Sequence, residues 1–125
     1  MPTSRLPLDI KSFLMESIDS VTHLEVLLML YKTPEKKWDV ESIRKEMRSS
    51  LSSASQQLTS LTEKGLLRCE GNNYSYGPSS AELDNKVKKL HQLYHEMPVA
   101  VVTCIYERPT EKLKNFSDAF KIKKD

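Results

Sequence analysis

The stretch DVESIRKEMRSSLSSASQQLTSLTEKGLLRCEGNNYSY, Asp39 to Tyr76, most constrains what this chain can fold into. Apolar residues recur at Val40, Ile43 and Met47, then at Leu51, Ala54, Leu58 and Leu61. Each set falls on one face at the helical period. Asp39 is a good N-cap for a helix from Val40 to about Arg48, because its carboxylate can accept an otherwise orphaned backbone N–H. Ser49 and Ser50 make the turn, and Ser50, Ser52 or Ser53 caps a second helix that runs to Lys64. Gly65 then supplies a left-handed C-cap. Leu66–Glu70 and Tyr74–Tyr76 read as short strands around Gly71-Asn72-Asn73, residue types that tolerate positive φ. The order is helix, turn, helix, hairpin.

The flanks should complete its core or pair it with a partner. Residues 1–8 read as a flexible lead. Asp9 can cap a short helix with Ile10, Phe13, Leu14 and Ile18 inward. Ser20 caps the next helix, Val21 to Lys32, whose Leu24, Val26, Leu27, Leu28, Met29, Leu30 and Tyr31 make it apolar nearly all round. Such a helix is central and buried. Thr33-Pro34 stops it. Trp38 packs at the core edge, where a short strand would fit.

Beyond the hairpin, Pro78-Ser79-Ser80 caps a helix with a seam at Leu83, Val87, Leu90, Tyr94 and Met97, a heptad-like spacing. Pro98 interrupts it. Val99 to Tyr106 is β-branched and compatible with strand or helix; Pro98 at its first turn and the lack of partner strands favour helix. Thr110 caps a last helix with Leu113, Phe116 and Phe120 on one face, before a basic tail. One small domain has limited core to bury the seam, the valine run and the Phe116/Phe120 face together. The surplus predicts an interface, most simply a two-fold dimer through Leu83, Val87, Leu90, Tyr94, Met97, Phe116 and Phe120. The alternative is that these helices fold back over the chain's own N-terminal helix.

At Asp39–Tyr76 the sequence resembles the winged helix-turn-helix superfamily of bacterial transcriptional regulators, in the broad group of MarR-like and TrmB-like proteins. The resemblance rests on DVESIRKEMRSS, LSSASQQLTSLTEKGLL and RCEGNNYSY, above all on Leu58, Leu61, Gly65, Leu66 and Leu67, with HLEVLLMLYK as the preceding core helix. It covers roughly residues 20–78. The expected fold is therefore mostly α with a small β-hairpin: a lead and short helix at 1–19, the winged helix-turn-helix at 20–78, and a helical extension at 79–125 that serves dimerisation. The resemblance implies double-stranded DNA as partner, with the second helix in the major groove and the wing on the backbone. Readout usually comes from the N-terminal half of such a helix, which points to Ser52, Ser53 and Gln56 for base edges. Arg44, Lys45, Arg48, Lys64 and Arg68 are candidates for phosphates. The exposed helix face carries no Arg or Lys and ends in Glu63, and the wing tip lacks a cation beside Glu70. A winged helix used for protein contact, without direct DNA binding, has the same pattern.

The 125 residues carry a net charge of only +2, so charge alone does not imply nucleic acid. The absence of a long apolar run, or of a signal-peptide pattern, leads to the expectation of a cytoplasmic protein with no membrane span. Cys69 and Cys104 read as buried thiols rather than a disulfide. His91 and His95 stand four apart, close enough for one metal, but no third ligand is obvious and surface histidines are the simpler reading. His23 reads as a structural or capping residue. No phosphate loop, carboxylate pair or nucleophile elbow occurs, so neither an enzyme nor a cofactor is expected.

Overall fold

The computed structural model describes residues 6–107. The order is α1 (Leu8–Ser17), α2 (Val21–Lys32), α3 (Val40–Met47), α4 (Leu51–Glu63), β1 (Leu67–Glu70), β2 (Asn73–Tyr76), α5 (Ala81–Glu96) and α6 (Pro98–Tyr106). The molecule is mostly helical with one antiparallel hairpin, arranged as a winged helix-turn-helix with a helix before it and two after it.

The helix starts are set by short polar side chains. Ser20, Ser50 and Ser80 each accept a backbone N–H, from His23, Ser53 and Leu83. Asp39 accepts from Ser42 N–H while the Ser42 hydroxyl receives Asp39 N–H, a reciprocal capping box. α1 departs from expectation. It begins one residue before Asp9, and the Pro7 carbonyl accepts from the N–H groups of Ile10 and Lys11. Asp9 lies inside the first turn and is not the cap. Leu6, placed by sequence in a flexible lead, is instead buried in the core.

α4 ends as expected on Gly65, whose φ is +80°. Gly65 N–H donates to Thr62 O and Leu66 N–H to Leu61 O, the paired bonds of a Schellman turn. A Cβ at Gly65 would also lie 2.7 Å from Ser79 Oγ, so this position needs glycine for two reasons. α3 ends in the same geometry without a glycine. Arg48 takes φ 54°, its N–H meets Lys45 O, and Ser49 N–H meets Arg44 O.

The hairpin pairs Leu67 with Tyr76 and Glu70 with Asn73, leaving Gly71-Asn72 as the loop. Asn73 thus belongs to β2 rather than to the turn. Gly71, at φ +62°, takes the first loop position. Trp38 adds a single-residue third strand, exchanging backbone hydrogen bonds with Tyr74 at 2.8 and 2.6 Å. The Trp38 indole N–H donates to Thr33 Oγ1, and the ring is buried.

The core is centred on α2. Leu24, Val26, Leu27 and Leu30 are fully buried there, against Ile10 and Leu14 of α1, Ile43 of α3, Leu58 and Leu61 of α4, and Val87 and Leu90 of α5. Each such side chain withdrawn from water contributes roughly 2 kcal/mol. His23 is buried with them and its Nδ1 accepts Asp19 N–H, the structural role its place suggested. Pro98 opens α6 at its first turn, so Val99–Tyr106 is helix.

Candidate nucleic-acid interface

α4 is built for two environments. Ala54, Leu58 and Leu61 face the core with no more than 1% exposure. Ser52, Gln56, Thr59 and Glu63 form the opposite stripe, all exposed. Ser53 is half-buried, with its backbone N–H on Ser50 Oγ. Leu51, expected on the inner face, is 52% exposed. At the first turn the helix overhangs the core. Leu51 lines a shallow depression with Asp39, Val40, Glu41, Asn72 and Tyr74.

The structure separates the five candidate phosphate contacts. Lys45 and Arg48 are exposed at the end of α3, just ahead of the α4 N-terminus. Arg44 is nearby, but its guanidinium is hydrogen-bonded to both Glu41 carboxylate oxygens. That contact raises the Arg44 pKa and lowers that of Glu41. Lys64 lies at the far end of α4, where its ammonium donates to Glu16 O of α1 at 3.3 Å. Arg68 is exposed on β1, with its side chain against Gly77.

Two cations missed by sequence reasoning join this surface. Lys37 lies 3.2 Å from Glu70 beside the wing tip, so the acidic residue there is paired. Lys36 sits over the Trp38 ring at 3.8 Å. The signal was the Trp38 strand, which places the preceding lysines against the hairpin. Cys69, expected to be buried, is exposed, because β1 leaves the core after Leu67. Its thiol contacts Gly71 O at 3.5 Å. Burial, then the Cys69 thiol beside it, raises the pKa of Tyr74.

The C-terminal helices are used differently from expectation. Val87 and Leu90 are fully buried within the chain, because α5 packs on α1, α2 and α6. Neither is available to a second protomer, which corrects their assignment to a dimer interface. Leu83, Tyr94 and Met97 are half-buried against the core, and the Tyr94 hydroxyl donates to Glu25. Phe116 and Phe120 lie outside the described residues. The outward apolar face belongs instead to α6. Val99 is 75% and Tyr106 57% exposed, with half-buried Val102 and Thr103 between them at helical spacing. Leu8 of α1 is also exposed. Cys104 is half-buried rather than buried, and partial burial raises its thiol pKa.

The wing is tied to α5 by the Tyr76 hydroxyl, which donates to Asp84 Oδ1 at 2.7 Å. Burial and this bond push the Tyr76 pKa well up. Tyr31 stacks edge-on against Tyr76 and also contacts His91. His91 and His95 line an open cleft of about 580 Å³ with Leu28, Met29, Met47 and Tyr94. Among the described residues no group of three or more His, Cys, Asp or Glu side chains is placed to hold a metal ion. Nor is any described helix long and apolar enough to cross a membrane.

The fold class these elements define is the winged helix-turn-helix. No protein-family model matches the chain, and no curated protein matches it. Among solved structures it is similar to the homodimeric winged helix-turn-helix DNA-binding domain (fragment 1–100) of Mb0332 from Mycobacterium bovis, a possible ArsR-family transcriptional regulator. The two share 22% identity with a TM-score of 0.51, over 72% of this chain and 82% of that one. At that identity the likeness establishes the fold. A second match, to the S-adenosylmethionine-dependent methyltransferase SibL in its apo form, has 14% identity and a TM-score of 0.49. It covers 84% of this chain but 30% of SibL.

Proposed function

We propose that this chain is a sequence-specific DNA-binding transcriptional regulator that acts as a dimer. α4 enters the major groove, with Ser52, Ser53 and Gln56 at the base edges, and β1–β2 rests on the backbone. The observation that carries the reading is α4 itself. Its inner face is closed into the core while its outer stripe is wholly polar and open. Lys45 and Arg48 stand at the end that would enter the groove, the position for phosphate contacts. Arg68 and Lys36 extend that charge along the wing side, while Lys37 is paired with Glu70. Lys64 and Arg44 are held by Glu16 and Glu41 and contribute less.

The dimer forms through the outward face of α6, Val99, Val102 and Tyr106, with Leu8 of α1 contributing. An apolar stripe of this kind asks for cover, and a second copy would present two α4 helices to a palindromic site. The Mb0332 domain is homodimeric, which supports a dimer but not the choice of face. The assignment to the MarR-like and TrmB-like group rests on the α4 ending, Leu58 to Leu67. The Mb0332 domain, itself a possible ArsR-family regulator, shares the fold and does not decide between these groups.

A polarisation titration against mixed-sequence duplex DNA at low salt tests the reading. Binding should weaken steeply as salt rises, by the release of roughly one counterion per phosphate contacted. A Lys45→Glu/Arg48→Glu double change should weaken it at every sequence. Absence of binding at low salt would sink the proposal.

A second reading has its own support. Leu51 is exposed beside Asp39 and Glu41, and Glu41 occupies Arg44. An apolar residue in an acidic rim suits a basic protein partner, with no direct DNA contact. In that case Leu51→Ala abolishes capture of the partner, and DNA binding is absent in all variants.

A further inference from the structure

The groove chemistry that α4 can read is narrower than its fold requires. The exposed stripe is Ser52, Gln56, Thr59 and Glu63, and Arg and Lys are absent from it. Guanine is usually read by Arg or Lys donating two hydrogen bonds to O6 and N7. α4 has no Arg or Lys on this stripe to do so, and the Gln56 amide satisfies its donor and its acceptor together only on adenine. Gln56 is exposed and sits in the second turn from the N-terminus. A primary amide offers one donor and one acceptor side by side. That pattern matches adenine, whose major-groove edge presents the N7 acceptor next to the N6 donor. Glu63 could accept from cytosine N4, but it stands in the last turn of α4, at the end away from the bases. Leu51, at the first position of the same helix, is 52% exposed. The thymine methyl is the apolar feature of the major groove that such a side chain could meet.

We infer that α4 recognises an A·T pair rather than a G·C pair, with the Gln56 amide bidentate on adenine N6 and N7. The inference rests on the DNA-binding reading above and names the class of half-site it would select. Guanine contacts, where the target has them, come from outside α4.

The test is selection of a randomised duplex library by the full chain, followed by titration of the enriched site. The expected site holds an A·T pair at a position where Gln56→Ala removes the preference. Replacing that adenine with 7-deazaadenine, which lacks the N7 acceptor but keeps the N6 donor, weakens the native protein roughly 2- to 12-fold, the range of one lost hydrogen bond. It leaves Gln56→Ala unaffected. Gln56 is exposed, so the variant keeps its fold, and its salt dependence matches that of the native chain. A selected site in which Gln56→Ala relaxes a G·C position, or in which the base preference survives Gln56→Ala intact, overturns the inference while leaving DNA binding in place. No binding to any library member at low salt overturns the regulator reading itself.

Discussion

α4 and α6 both press an apolar face into the core, yet their outer faces end in opposite conditions. Past its first residue, the exposed Leu51, α4 turns its apolar residues inward: Ala54, Leu58 and Leu61 are at most 1% exposed, and its outer stripe is polar. α6 buries Val101 and Ile105 and still shows Val99 and Tyr106 to solvent. The first helix is complete within one chain, so its outer face is free for a polar, charged ligand. Among the described residues nothing apolar covers the outer face of the second, the face assigned to the proposed dimer. On the proposed reading, the first face serves the DNA and the second serves a second copy.

The largest effect should come from breaking the completed side. Leu58→Ala removes a fully buried side chain, and cavity formation should cost about 2–5 kcal/mol of stability. Urea unfolding at two protein concentrations would measure it. A cost below about 1 kcal/mol would mean that α4 is not seated as described. Gly65→Ala attacks the same helix at its end. It forces a left-handed φ on alanine and puts a Cβ against Ser79 Oγ, so a loss of about 2 kcal/mol is expected. Together these changes ask whether the position of α4 depends on its core face and its C-cap.

Val99→Lys attacks the unfinished side. It should leave the stability of the monomer within about 0.5 kcal/mol, as surface changes usually do. The dimer dissociation constant should rise at least about tenfold, equivalent to about 1.4 kcal/mol. Analytical ultracentrifugation reads the second effect and denaturation the first. An unchanged association constant would place any dimer contact elsewhere. A fall in monomer stability matching that of Leu58→Ala would erase the contrast between the two helices.

These two helices also show where sequence was informative. The caps at Ser20 and Asp39, the serine clusters that hold the caps Ser50 and Ser80, the stop at Gly65 and the helical state of Val99–Tyr106 were legible because each depends on a few neighbouring residues. The destination of the Leu83–Met97 seam was not. Heptad spacing shows that a face is apolar. It does not say whether α1 and α2, distant in sequence, cover it or a second copy does. Val87 and Leu90 turned out to be covered from within. Periodicity placed Leu51 inside, but α4 begins beyond the edge of the core. Cysteine usage marked Cys69 as a buried thiol, but β1 leaves the core after Leu67. At the candidate interface the residue types were readable in advance. The pairings that occupy Arg44, Lys64 and Lys37 with Glu41, Glu16 and Glu70 required three-dimensional placement.

Tyr76→Phe tests the tie between the two halves. It deletes the 2.7 Å hydrogen bond from the wing to Asp84 and should cost about 1 kcal/mol near neutral pH. The Tyr76 pKa is higher in the folded state than in the unfolded chain. Its contribution is therefore complete below pH ~10, the unfolded value, and is lost as pH rises through the folded value. The gap between native and variant should narrow on alkaline titration, followed by chemical denaturation at fixed pH values from 8 to 11. A constant gap would show that Tyr76 ionisation is not linked to folding.

The smallest effect has the sharpest sign. Arg48 holds a left-handed φ of 54° that glycine adopts without strain, so Arg48→Gly should stabilise the fold by about 0.5 kcal/mol. The gain is the relieved strain less the extra backbone freedom of glycine in the unfolded chain. A protein that folded better with glycine here would keep arginine only if the side chain served something besides folding. Arg48 is exposed, at the turn leading into α4 and beside Lys45. If its guanidinium grips phosphate, Arg48→Gly should raise the denaturation midpoint and weaken DNA binding together, with the salt slope falling by about one. A variant that is more stable and binds DNA as well as before would remove Arg48 from the interface. A variant that is less stable would show that the Arg48 side chain stabilises the turn.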